Sequence, residues 1–155
     1  MFTSCGHREE QEQHIQLGAT RDGRLTAIRH RKGSITSPFD DWAEPAFGVA
    51  SQLYACPSFE GAHRLVRGNT MTPTFTRGSG EALGVFTLEC MMDEPASQLG
   101  IDPIELRLRN LTEVDPNTGN PWSSHGLRNV TSGVHSDSAG PGATRGRDLS
   151  ATGSG

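Results

Sequence analysis

A short glycine-rich segment, Arg77-Gly78-Ser79-Gly80, carries groups that could hold an oxygen-rich or anionic ligand. It leads directly into a helical pattern that ends near Leu99. The first N–H groups of a helix have no partners within the helix, and the helix dipole makes that end positive. Glycines let the backbone approach a ligand closely, so the segment predicts a site for an anion or an oxygen-rich cofactor. Glycine-rich turns before helices are common, and a plain tight turn is the alternative.

Arg77 and the acidic side chains after it also allow structural interpretations. An arginine at the start of a helix often pairs with a nearby carboxylate, and such a pair needs no ligand. Carboxylates on the predicted helix are candidates for acid–base chemistry, and they are Glu81, Glu89, Asp93 and Glu94. Charged runs more often form a solvated helix face, so we assign no catalytic role to these four residues.

The composition of the 155 residues argues against several classes of protein. A net charge of −4 is the wrong sign for a nucleic-acid-binding surface, which needs basic clusters. No apolar run approaches the length of a membrane span, so we expect neither a nucleic acid nor a membrane as partner. Cys5, Cys56 and Cys90 form no C-x-x-C pair, which predicts reduced thiols and no metal held by side chains.

The elements before the glycine-rich segment are predicted to be a β-hairpin, a helix and a further strand. Residues 14–19 and 25–35 alternate between polar and apolar side chains, and Asp22-Gly23 between them is a strong tight-turn pair. Residues 42–53 carry apolar side chains at helical spacing. Residues 59–69 are compatible with a third strand.

A long helix over residues 79–99 and a shorter one from residue 102 are predicted next. The first is expected to bury Leu83, Phe86, Cys90 and Met91 on one stripe. Pro95 lies inside this helix and is expected to kink or shorten it. The second helix has good starting signals, which are Asp102 as N-cap, Pro103 at the first helical position and Glu105 in a capping box.

Residues 129–155 differ in composition from the rest of the chain. Apart from alanine, their aliphatic residues are Val130, Val134 and Leu149, among many Ser, Gly and Thr residues. Such a segment buries too little apolar surface to offset its ordering entropy, which predicts a disordered, low-complexity tail. The fold class predicted for residues 1–128 is α+β, with a β-hairpin, a further strand and two to three helices.

Several motifs match one family in order and spacing. They are residues 16–19, 22–27, 53–57, 69–73, 75–82, 92–94, 100–103 and 105–110, together with Glu89. This set resembles the molybdopterin-binding subunit of the xanthine dehydrogenase/aldehyde oxidase family, the molybdenum hydroxylases. The resemblance fades after Arg128 and covers a slice of a subunit several times longer, so residues 1–128 are interpreted as a partial molybdopterin-binding domain.

The resemblance implies a fragment of an oxidoreductase that hydroxylates aldehydes or purine-like heterocycles with water as the oxygen source. Its cofactor would be molybdenum held by molybdopterin, with iron–sulfur clusters and FAD on partner domains or subunits. Arg77, Gly78, Ser79 and Gly80 match the loop that faces the cofactor, and they are the cofactor-binding candidates. Ser79 replaces an aromatic residue that stacks on the substrate in many relatives, and serine cannot stack on a ring.

Two motifs of the family have no counterpart here, the catalytic glutamate near its C-terminus and a glutamine-containing cofactor loop. We therefore expect the isolated chain to be inactive, and a shift of reading frame near Arg128 would account for the tail. The alternatives are an inactive remnant with no function of its own and a small anion- or phosphate-binding module. The resemblance implies a cytoplasmic location, or a periplasmic one reached through a partner subunit's signal.

Overall fold

A three-stranded sheet and four helices make up residues 6–138, the part of the chain that the computed structural model describes, with side chains through residue 133. The elements are β1 (Gln11–Ala19), β2 (Leu25–Thr36), α1 (Ala50–Leu53), β3 (Phe59–Arg67), α2 (Glu81–Leu99), α3 (Pro103–Asn110) and α4 (Leu127–Ser138). The strand order is β1-β2-β3, with β1 antiparallel and β3 parallel to β2. The predicted α+β class is confirmed.

The β1–β2 hairpin is confirmed, and its turn depends on one glycine. Gly23 has φ +83°, which favours glycine, and its N–H donates to the Thr20 carbonyl over 2.9 Å. A Cβ on Gly23 would lie 2.8 Å from Ile101 Cδ1 and 2.9 Å from Leu106 Cδ1, because the turn packs against the α3 region. The Asp22-Gly23 signal therefore identifies both the turn and a point of close packing.

The crossover between the parallel strands β2 and β3 contains less helix than the sequence predicts. Parallel neighbours need a long connection, and residues 37–58 supply it. Only Ala50–Leu53 is helical, so the predicted helix over residues 42–53 is too long. The backbone of Glu44 is occupied by tertiary contacts instead, since its N–H donates to Glu9 and its carbonyl accepts from Lys32.

Helix α2 is confirmed, but its buried stripe is not the predicted one. The buried residues are Gly84, Leu88, Met92 and Ala96. Phe86 and Cys90, which were expected to be buried, are exposed, while Leu83 and Met91 are half-buried. The stripe follows a strict spacing of four and passes through two small residues. Periodicity based on large apolar side chains does not detect such a stripe. Its small residues allow another backbone segment to lie close to the helix.

The sequence predicts that Pro95 kinks or shortens α2, and the structure shows no shortening. The helix continues to Leu99 and ends at Gly100, which has φ +65°. The Ile101 N–H then donates to the Ala96 carbonyl over 3.0 Å, which is the bond of a Schellman cap. Met92 and Ala96 are buried on either side of Pro95, so packing holds the helix through the position where one hydrogen bond is lost.

Helix α3 starts as predicted and joins the core of the fold. The Asp102 carboxylate accepts from the N–H groups of Ile104 (2.8 Å) and Glu105 (3.0 Å), with Pro103 at the first position. The buried cluster lies between the sheet and helices α1, α2 and α3, and it comprises Ile15, Leu25, Ile28, Ala50, Tyr54, Leu88, Met92, Ala96, Leu106 and Leu111.

The C-terminal region of the described chain contains a fourth helix where the composition predicts a disordered tail. Residues 127–138 form α4, a helix that the sequence analysis does not predict. Leu127, Val130 and Val134 are spaced as on one helix face, a pattern that a count of aliphatic residues does not detect. Residues 139–155 lie outside the described residues, and the boundary at residue 128 stays a prediction.

A network of hydrogen bonds and ion pairs joins helices α2 and α3 to Tyr54, which directly follows α1. Tyr54 Oη donates to Glu89 Oε1 (2.6 Å), and Arg107 Nε donates to Glu89 Oε2 (2.6 Å). Arg107 also pairs with Asp93 over 2.9 Å. Burial, followed by the hydrogen bond to Glu89, raises the pKa of Tyr54 well above its usual value. The network therefore links the segment after α1 to both α2 and α3.

Replacing Arg107 with methionine is expected to destabilise the fold by about 2 kcal/mol, because the Glu89 carboxylate keeps its burial and loses its cation. Urea denaturation followed by circular dichroism measures the change. Arg67→Met is the matched control, since Arg67 and Asp41 form an exposed ion pair. Equal unfolding midpoints for the two variants would show that the network contributes nothing.

Candidate functional site

The glycine-rich segment forms a tight turn directly before α2, as the sequence predicts. Gly78 and Gly80 have φ values of +66° and +80°, which favour glycine at both positions. The Ala82 N–H donates to the Gly78 carbonyl (3.0 Å), and the Gly84 N–H donates to the Gly80 carbonyl (2.8 Å). These bonds make the turn continuous with the first turn of the helix.

The four predicted site residues lie together but face different surroundings. Arg77 and Gly78 are exposed, Ser79 is half-buried and Gly80 is buried. The Gly80 N–H donates to Glu44 Oε2 over 3.3 Å, and a Cβ at this position would lie 2.9 Å from Pro45 Cδ. Arg77 and Gly78 therefore form the outward side of the turn, the Ser79 hydroxyl is buried, and Gly80 anchors the turn to residues 44–45.

Arg77 and Ser79 each have polar groups that the described part of the chain does not satisfy. Among the side chains of residues 6–133, no carboxylate forms an ion pair with Arg77, so the structural ion pair is not found in this part of the chain. Ser79 Oγ is buried and makes no hydrogen bond to the described residues. The exposed guanidinium of Arg77 and the exposed backbone of Gly78 suit an anionic, oxygen-rich ligand.

Behind the turn lies a group of charges that the sequence analysis missed, the half-buried Arg8 and the buried Glu9, Lys32 and Glu44. The side chains of Glu9, Lys32 and Glu44 have no exposed surface. Arg8 Nη1 pairs with Glu44 Oε2 (3.3 Å), and Lys32 pairs with Glu9. Burial lowers the pKa of Lys32 to about 8, and the charge of Glu44 acts in the opposite direction.

A signal for this group was present in β2. Its buried positions alternate through Ile28, His30, Lys32, Ser34 and Thr36, so one face of the strand changes from apolar to polar along its length. A lysine at an inward position needs a buried partner. The sequence alone did not identify that partner, because Glu9 and Glu44 lie in segments without regular secondary structure.

The described residues meet the requirements of neither a side-chain metal site nor a membrane-spanning helix. Among the residues that the structure describes, no three His, Cys, Asp or Glu side chains lie close enough to hold a metal ion. The helices within this same part of the chain are too short or too polar to cross a bilayer. The side chains of the turn are hydrogen-bond donors, so they suit a cofactor that brings its own metal ligands.

Comparison with known proteins identifies the family of this chain. Residues 1–111 match the model of the molybdopterin cofactor-binding domain. The chain is 37% identical over 110 residues to the aldehyde oxidoreductase molybdenum-binding subunit PaoC of Escherichia coli K12, which covers 71% of this chain and 15% of that subunit. It is 31% identical over 119 residues to the xanthine dehydrogenase molybdenum-binding subunit of Escherichia coli O157:H7, covering 72% of this chain and 16% of that subunit.

The fold agrees with solved structures of the same group. The aldehyde oxidoreductase from Desulfovibrio gigas superimposes with a TM-score of 0.74 and 27% identity, over 85% of this chain and 15% of that one. The chain thus spans about 15% of the length of the relatives it matches. The family match, the identities and the fold all point to the same domain. The chain belongs to the molybdopterin cofactor-binding domain family.

Proposed function

We propose that this chain is a segment of the molybdenum-binding subunit of a molybdenum hydroxylase, and that its turn at residues 77–80 contacts the cofactor. The observation that carries the proposal is the outward side of the turn, where Arg77 has no ion-pair partner in the described part of the chain. The parent enzyme would oxidise an aldehyde or a purine-like heterocycle. The molybdenum cofactor would supply the oxidative chemistry when bound.

Each residue of the turn has a distinct proposed role. The Arg77 guanidinium donates hydrogen bonds to anionic oxygens of the cofactor. Gly78 lets the backbone come close, because it has no side chain and its φ of +66° turns the chain. The buried Ser79 hydroxyl gains a hydrogen-bond partner from the bound group. Gly80 is buried against Pro45, so its role is to hold the turn in place.

A chimera tests the proposal in a complete enzyme. Residues 6–111 would replace the aligned segment of the Escherichia coli PaoC subunit, to which the chain is 37% identical over 110 residues. Molybdenum per protein and aldehyde oxidation with an artificial electron acceptor are then measured. We expect the chimera to retain molybdenum, and Arg77→Met to lower molybdenum content or kcat/KM by about 10- to 100-fold, the value of one or two charge-assisted hydrogen bonds.

The matched control for this substitution is Arg64→Met. Arg64 is an exposed arginine of β3, so the variant removes the same charge away from the turn. It is expected to leave molybdenum content and turnover unchanged. If Arg77→Met behaves like Arg64→Met, the turn does not contact the cofactor and the proposed site is wrong.

We further propose that the chain as given has no hydroxylase activity of its own. It spans about 15% of the relatives' length and contributes one side of a cofactor site. In the parent enzyme, iron–sulfur and FAD domains or subunits would accept the electrons, and the location would be cytoplasmic, or periplasmic through a partner's signal. The purified chain is expected to show no aldehyde oxidation when molybdopterin is supplied, and measurable turnover would overturn this.

A small anion-binding module is the second candidate, and it is supported as well by Arg77, which has no ion-pair partner among the described side chains. The two candidates differ in what the isolated chain does in the absence of pterin. An anion module would bind inorganic phosphate with an affinity that falls as salt rises, because exposed charges are screened. Isothermal titration with phosphate separates them, and we expect no binding heat for a fragment of a cofactor site.

A further inference from the structure

Both ends of the turn at residues 77–80 form hydrogen bonds with one ion pair, Arg8–Glu44. Arg8 Nη2 donates to the Arg77 carbonyl over 2.8 Å, and the Gly80 N–H donates to Glu44 Oε2 over 3.3 Å. Arg8 and Glu44 in turn pair with each other over 3.3 Å. The pair therefore bridges the first and last residues of the turn.

The bridge is itself fixed by residues from distant parts of the chain. The Glu44 N–H donates to Glu9 Oε1 (3.2 Å), and Lys32 Nζ donates to the Glu44 carbonyl (2.5 Å). Lys32 also pairs with Glu9. The N–H and the carbonyl of Glu44 are thus both hydrogen-bonded. Its backbone is fixed at the position from which the carboxylate accepts from the Gly80 N–H.

The cost of this arrangement indicates a role beyond folding. Glu44 is completely buried, and its Oε1 has no hydrogen-bond partner among the described residues. Burying a carboxylate with an unsatisfied oxygen is expensive, and an apolar residue would fill the space at lower cost. A buried charge of this kind is retained where it sets one geometry. Here the geometry that it sets is that of the turn.

We infer that Glu44 and Arg8 are positioning residues that fix the turn in the conformation that receives the cofactor. This inference rests on the proposed function for its purpose, but the holding of the turn is a property of the cofactor-free chain. The Arg77 side chain faces outward while its carbonyl is held by Arg8. Loss of either positioning residue should therefore release the turn without removing any group that contacts the cofactor.

Amide hydrogen exchange and limited proteolysis of the 155-residue chain test the inference. In Arg8→Met and in Glu44→Ala, we expect the Gly80 amide to exchange about tenfold faster, because it gains access to water without global unfolding. Trypsin should cut the Arg77–Gly78 bond faster by a similar factor. The amides of Leu88 and Met92 in the core of α2 should keep their exchange rates.

Conservative and control variants separate positioning from general stabilisation. Glu44→Gln should restore most of the protection that Glu44→Ala loses, because the amide oxygen still accepts from the Gly80 N–H. A purely electrostatic contribution to stability would not be rescued, since glutamine carries no charge. Arg67→Met breaks an exposed ion pair and should change neither readout. If Glu44→Ala does not fold, the exchange rate of the Gly80 amide is compared among wild type, Arg8→Met and Glu44→Gln. Faster exchange in Arg8→Met and near wild-type exchange in Glu44→Gln then support the inference.

The inference is overturned if Gly80 exchanges at the wild-type rate in Arg8→Met, if all α2 amides accelerate together, or if Glu44→Gln gives no rescue. These readouts involve no cofactor. If the positioning inference is wrong, only the amide exchange rates reveal it. If the proposed function is wrong, Arg77→Met leaves the molybdenum content and turnover of the chimera unchanged.

Discussion

Replacing Gly84 with alanine is expected to destabilise the protein by about 2–3 kcal/mol, the cost of overpacking a site that cannot relax. A Cβ at this position would lie 1.9 Å from the Ala46 carbonyl oxygen, which belongs to backbone and not to a flexible side chain. Alanine is otherwise the better helix former by about 1 kcal/mol, so the expected sign is opposite to that of helix propensity. Urea denaturation at constant pH measures the change.

Gly133→Ala is the matched control, because it makes the same substitution in helix α4 with nothing within 4 Å of the added Cβ. Propensity then acts alone, and the variant is expected to be no less stable than the wild type. If Gly84→Ala and Gly133→Ala shift the unfolding midpoint in the same direction, α2 does not approach the segment at Ala46 closely.

The Gly84 substitution should also disturb the candidate site. Ala46 follows Glu44 and Pro45, which hold Gly80 by a hydrogen bond and by contact. To accommodate the new methyl group, this segment must move away from α2. We therefore expect faster exchange of the Gly80 amide in Gly84→Ala even under conditions where the protein remains folded.

Asn110→Asp is expected to have the larger effect, about 4 kcal/mol, because it places a carboxylate where two carbonyl groups need a donor. Asn110 is 2% exposed. Its Nδ2 donates to the carbonyls of Gly23 and Leu106, each over 2.8 Å, and its Oδ1 accepts from the Leu25 N–H over 2.8 Å. One side chain thus joins the hairpin turn to the end of α3. Thermal and urea unfolding at pH 7 measure the loss.

The pH dependence of this variant has a definite sign. The introduced carboxyl is buried beside two carbonyl oxygens, which raises its pKa in the folded state above the unfolded value. The folded state then binds more protons between the two pKa values, so the deficit relative to wild type shrinks as pH falls through the raised folded pKa toward the unfolded one. Asn120→Asp, at an exposed position, is the control and should show no deficit at either pH. A deficit for Asn110→Asp that is constant between pH 7 and pH 5 would contradict this account.

Features that depend on neighbouring residues were predictable from the sequence. The hairpin follows from Asp22-Gly23 between two alternating segments, and the start of α3 follows from Asp102 and Pro103. The turn before α2 was found in the same way, since its glycines and its arginine are contiguous. Each of these signals acts over a few residues, so it can be recognised without knowing what the rest of the chain contacts.

Features that depend on distant contacts were missed or misassigned. The stripe of α2 follows Gly84 and Ala96, because the partner segment at Ala46 approaches the helix backbone. The helix predicted over residues 42–53 is cut to Ala50–Leu53 because Glu44 bonds to Glu9 and Lys32. Helical spacing in the sequence describes what a segment can do alone, whereas tertiary hydrogen bonds decide what it does here.

The sequence by itself determined the family, the order in which strands and main helices follow one another along the chain, and the position of the turn that contains Arg77. The tertiary structure alone decided which side of that turn faces outward and what holds it, since Arg8 lies 69 positions from Arg77 and Glu44 lies 36 from Gly80. The reason is physical. A motif records residue types along the chain, but a buried charge becomes stable only when the fold brings its partners to it.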